Sequence, residues 1–69
     1  MMGQIELRER TFIFAGGSVV VHADGDGWRW TVICGDERVA SADCYVNLMA
    51  ARANGMLRLQ AMVREASDG

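Results

Sequence analysis

Three glycine-centred turn signals cut the first half of this chain into short β-rich runs, and few folds accept such a pattern. Gly16-Gly17 separates TFIFA from SVVVHA, Asp24-Gly25-Asp26-Gly27 comes before WRWTVIC, and Gly35-Asp36 comes before ERVASAD. Glycine supplies the positive φ angles that two-residue hairpin turns demand. The chain has no proline to remove a ladder donor. The runs therefore read as an antiparallel meander of about four strands. With Gly16-Gly17 as the first turn, Phe14 falls opposite Val19 and Phe12 opposite Val21. In the third run Trp28, Trp30, Val32 and Cys34 share one face, and Arg29, Thr31 and Ile33 the other. In the fourth, Val39, Ser41 and Asp43 alternate with Arg38, Ala40 and Ala42, all on a strand of small residues that leaves room for a helix.

After Cys44 the pattern changes to YVNLMAARANGMLRLQAMVREAS, rich in strong helix formers. Asn47 is a natural N-cap. On a helical wheel Leu48, Met49, Met56, Leu59, Met62 and Val63 form one apolar arc, extended by Val46, Ala53 and Leu57. Asn47, Asn54, Arg58 and Glu65 form a polar strip opposite. The arc is wider than covering one sheet face requires. Asn54-Gly55 is a turn signal, but the apolar phase runs through it, so one continuous helix is expected with Gly55 at a close contact. Arg52 lies inside the arc, where a solvated charge does not belong. It is expected to reach Glu37, Asp43 or a partner subunit, while Arg58 should be solvated.

The expected fold class is thus α+β: an antiparallel β-meander followed by one C-terminal helix on a sheet face, a single small domain over residues 1–69. Residues 1–9 read as an extension of the first strand or as a loose arm. At 69 residues, a core alone leaves stability marginal. Yet 51% of the residues are hydrophobic, and a subunit interface is one economical place for the excess. Net charge is −2 and every basic residue is arginine, which argues against general binding to a phosphate backbone. No apolar run approaches the roughly 18 residues of a membrane span. The charged start MMGQIELRER lacks the apolar centre of a signal peptide, so a cytoplasmic location is expected.

Chemistry-bearing motifs are few. The aspartates of residues 24–27 suggest a Ca²⁺ loop, but such a loop wants about six or more oxygens and a bidentate glutamate; a hairpin turn is the preferred reading. His22 is the only histidine, and no cysteine pair has ligand spacing, so neither a zinc site nor a Cys–His catalytic pair is expected. Cys34 and Cys44 sit at opposite ends of a hairpin, about 20 Å apart by strand rise, which excludes a bridge within the chain. Both are expected to be small buried hydrophobes. Aromatics beside arginine, as in Trp28-Arg29-Trp30, can stack single-stranded bases, fill a core, or anchor a protein interface.

The segment over roughly residues 27–60 resembles the YegP-like family of small bacterial proteins, a domain of unknown function. The resemblance rests on Trp28-Arg29-Trp30, Gly35-Asp36, Val39-Ala40-Ser41, Tyr45 and Asn54-Gly55-Met56. It departs in the longer Tyr45-to-Asn54 interval, in Leu48-Met49, and in the N-terminal hairpin. It implies small β-β-α units packing as tandem pairs or dimers, with no established enzymatic activity.

The expected function is a small non-enzymatic interaction protein without cofactor or metal, acting as a homodimer, with a host or cellular protein as a further partner. A phage- or mobile-element-borne inhibitor would fit this profile. Trp28, Trp30, Arg52, Met56, Leu59 and Met62 are the expected interface residues. The competing reading is single-stranded nucleic-acid binding through the tryptophan-bearing face.

Overall fold

The computed structural model describes residues 8–68. Four strands form one antiparallel sheet in the order β1-β2-β3-β4: β1 Glu9–Phe14, β2 Gly17–Asp24, β3 Gly27–Cys34 and β4 Glu37–Ala40. A single helix, α1 Leu48–Asp68, follows. The α+β meander expected from the turn spacing is the fold observed. Of the expected loose arm, Glu9 belongs to β1, and the Arg8 carbonyl accepts a hydrogen bond from Ala23 N–H at 2.8 Å. Residues 1–7 lie outside the described residues.

The second and third turns are built as expected. Asp24 pairs with Gly27 around Gly25-Asp26, and Cys34 with Glu37 around Gly35-Asp36. Gly25 and Gly35 have φ of 64° and 61°, the left-handed first position that glycine takes in type II′ hairpins. The first turn differs. Its loop is Ala15-Gly16, so Phe14 pairs with Gly17 and Phe12 with Val19, two residues away from the register that a Gly16-Gly17 loop imposes. Neither Ala15 nor Gly16 has a positive φ. These glycines answer a different need. A Cβ at Gly16 would collide with Val63, and one at Gly17 would collide with the Ile33 carbonyl and reach within 3.0 Å of Leu59 Cδ1. Close approach, of the helix at Gly16 and chiefly of the β3 backbone at Gly17, selects glycine there rather than turn angle.

The fourth strand is shorter than ERVASAD suggests. It ends at Ala40 because the next residues leave the ladder and the chain rejoins it only at Tyr45, which bridges Trp28. The helix runs through Asn54-Gly55 without a break. Asn47 caps it: its Oδ1 accepts from Ala50 N–H at 2.8 Å, supplying one of the acceptors a helix start lacks. Gly55 is buried against the sheet. A Cβ there would lie 2.6 Å from Val19 Cγ1 and 3.2 Å from the Trp30 side chain, so its absence sets the helix–sheet distance.

The helix lies over β2 and β3 and reaches β1 through side chains such as Arg52 over Phe12. The core between the layers is Val19, Val21, Trp30, Val32, Ala51, Leu59 and Met62. The room foreseen over the small residues of β4 is not used by this helix. Instead the inner face of edge strand β1, carrying Phe12 and Phe14, is only partly covered.

Candidate protein interface

Two surfaces of this two-layer structure remain incompletely covered, and both follow from strand parity. Residues directly opposite each other in an antiparallel sheet share a face. The helix-facing set is Phe12, Phe14, Val19, Val21, Trp30 and Val32; their odd-phase neighbours form the other face. No element among the described residues packs on that outer face.

The outer face has a plain layout. One row runs Thr11, Val20, Thr31, Ala40; the next runs Ile13, Ser18, Ile33, Arg38; a third runs Glu9, His22, Arg29. Ile13 is 83% exposed, and Val20 and Ile33 are only half-buried by their neighbours. Ile13, Val20 and Ile33 therefore gather towards the end of the face nearer the first and third turns, Ile13 at its β1 corner, with Thr11, Ser18 and Thr31 between them and Glu9 and Arg38 at diagonal corners.

On the inner side, a groove of about 420 Å³ lies between the first hairpin and the helix. It is lined by Phe14, Ala15, Gly16, Met56, Leu59, Gln60, Val63 and Arg64. The helix explains its chemistry. Met49, Arg52, Met56, Gln60 and Val63 project from the flank nearer β1, whereas Asn54, Arg58 and Glu65 occupy the opposite flank by helical phase. Arg52 places its guanidinium carbon 4.9 Å from the centre of the Phe12 ring, a cation–π distance. The expected reach to Glu37 or Asp43 is not made, because both lie towards β4 and Arg52 points to β1. Arg52 Nε is buried without a hydrogen-bond partner. Trp30 Nε1 is the other buried side-chain donor left unpaired among the described residues.

The six expected interface residues separate on this scaffold. Trp30, Leu59 and Met62 are core residues, at most 8% exposed, so their surface is used within the chain. Trp28, Arg52 and Met56 are half-buried; Arg52 and Met56 belong to the β1-side flank, and Trp28 lies at the far end of β3 against Tyr45. The wide apolar arc of the helix leaves Met49 and Leu57 exposed, with Val46 just before it.

Sequence reasoning missed the residues that shape the loop after β4. Ser41 is buried. Its Oγ accepts from Trp30 N–H at 3.2 Å and donates to the Asp43 carbonyl at 3.1 Å, while its own N–H donates to the Trp30 carbonyl. A side-chain oxygen thus replaces the ladder acceptor where β4 leaves the sheet. The freed Ser41 and Ala42 carbonyls accept from Arg29 Nη1, and Arg29 Nε donates to Asp24 at 2.5 Å. The hydrogen bond to Asp24 raises the Arg29 pKa above its ordinary value, and neighbouring Cys44 adds to it. Both cysteines are free; Cys34 is half-buried, but Cys44 is exposed rather than buried, because it belongs to this outlying loop. The spacing of Ser41 from the strand gave no warning, since alternation alone continues through it.

Among the described residues, no three of the His, Cys, Asp and Glu side chains come together as metal ligands would, and no helix is long and apolar enough to cross a membrane. No protein-family model matches the chain, and neither a curated protein nor a solved structure matches it.

Proposed function

We propose that this chain is a non-enzymatic protein–protein interaction module that acts as a homodimer, in the cytoplasm, with the outer sheet face pairing two copies. The observation that carries the reading is the layout of that face: exposed or half-buried apolar Ile13, Val20 and Ile33 on a bare sheet surface, with Glu9 and Arg38 at diagonal corners. A two-fold axis lying between two stacked sheets, along the other diagonal, sets Glu9 of each copy over Arg38 of its partner. The strands then cross at a steep angle, one of the two ways in which sheets stack. Such a face, with uncovered apolar side chains and opposite charges at two corners, offers both apolar area and charge complementarity to a second copy. The resemblance to YegP-like units, which pack in pairs, points the same way. A 69-residue two-layer domain also gains more from a partner than a larger one does.

Light scattering at micromolar concentration tests this. The intact chain should give twice its monomer mass, and Ile33→Asp should give a folded monomer. A monomer for the unsubstituted chain overturns the reading.

A further inference from the structure

We infer that the groove beside β1 takes an acidic, extended segment of another protein, which adds to β1 as a fifth strand. The inference rests on reading the chain as an interaction module but uses a different surface from the one that pairs copies. Three observations carry it. First, among the described residues β1 is the outer strand of the sheet and pairs on one side only, with β2. Arg8 is hydrogen-bonded to Ala23, so by antiparallel alternation the even-numbered residues of β1 bond to β2. Glu9, Thr11 and Ile13 turn their N–H and C=O groups outward. Free edge groups of this kind are the docking site in β-strand addition.

Second, the inner side of this edge is apolar. Phe12 and Phe14 are half-buried beside Met56 and Val63. Every second side chain of an added strand would lie over them. Third, among the described residues the groove lining holds an arginine and no carboxylate, and two more arginines lie beside it. Arg64 lines one end, Arg52 sits over Phe12 with Nε buried and unpaired, and Arg10 shares the inner face with Val21 opposite. Arg52 and Arg64 are twelve residues apart on the helix, about 18 Å along its axis. A strand of about six residues spans that distance. The matching occupant alternates apolar side chains with carboxylates placed for the arginines, which form charge-assisted hydrogen bonds with guanidinium N–H groups.

Random-peptide display against the full chain tests this. Enriched peptides should alternate apolar residues with Asp or Glu and should slow hydrogen exchange at the amides of Thr11 and Ile13. Arg52→Glu and Arg64→Glu should each weaken a selected peptide by about tenfold or more, whereas Arg58→Glu, on the other flank, should not. Arg64 is exposed, so its substitution reads the charge even where Arg52→Glu perturbs folding. Neutral or basic consensus peptides, binding indifferent to Arg64→Glu, or no enrichment would each overturn the inference. So would displacement by the peptide MMGQIEL, which would make the chain's own N-terminus the occupant. The mass measurement above is independent of all these outcomes, so failure here and failure of the homodimer are told apart.

Discussion

Ser41 shows how one side chain decides where a strand ends. Its hydroxyl accepts from the Trp30 N–H that the next ladder carbonyl would have accepted, and donates to the Asp43 carbonyl. The backbone carbonyl of Ser41 is thereby free for Arg29. Ser41→Ala leaves a buried N–H without its acceptor, at a cost of about 1–3 kcal/mol. Denaturant unfolding should report that loss, and a change within error would mean the hydroxyl is dispensable. The Asp24–Arg29 pair beside it is solvent-facing, so its part is to hold the loop in place rather than to supply much stability. Neither role was legible in ADGDGWRW or ASADC. What was legible was the turn chemistry: Gly25 and Gly35 adopt the backbone angles that their sequence context demanded. Arg52 was recognised as misplaced in an apolar arc, but its partner was not, because Phe12 comes from a strand whose register had been set two residues away.

At the scale of elements, the helix shows propensity and packing in opposition. Glycine inside a helix costs about 1 kcal/mol relative to alanine, so Gly55→Ala would stabilise an isolated α1. In this fold the added methyl meets Val19 and Trp30, and overpacking costs about 1–3 kcal/mol. Gly55→Ala should therefore lower the unfolding free energy, by about 1 kcal/mol net, and a gain in stability would mean that the helix can shift away from the sheet. Asn47→Ala should cost about 1 kcal/mol through loss of the cap, measurable in the same unfolding curves. The continuous helix, its cap and its close contact at Gly55 could be read from the sequence because each is a local signal. The first hairpin could not be read correctly. Two adjacent glycines offer alternative loops, and the observed one meets distant needs: room for Val63 above Gly16 and for the Ile33 carbonyl and Leu59 at Gly17.

For the whole molecule, the decisive fact is the mismatch between one helix and four strands. Side by side, strands stand about 4.8 Å apart, and a helix with its side chains is about 10 Å across. One helix therefore covers two strands, and α1 takes β2 and β3. That leaves the β1 side of the inner face open to a partner and the whole outer face bare. The sequence carried a signal for the second of these. FIF (12–14) and VVV (19–21) are apolar at every position, not at alternate ones, and continuous apolar runs mark strands covered on both faces. Ile13 and Val20 fall out of phase with the core, as does Ile33 in WTVIC. Reading only the tryptophan phase directed attention to the helix side, where Trp30, Leu59 and Met62 are already buried.

The central claim is that the outer face pairs two copies of this chain. Sedimentation equilibrium across a range of concentrations, on the unsubstituted chain and on an Arg38→Glu variant, tests it most directly. The account predicts a dimer for the former and a weakened dimer for the latter, with Glu9→Arg in the same chain restoring it by exchanging the two charges. A monomer at every concentration, or a dimer indifferent to both substitutions and to Ile33→Asp, would contradict it.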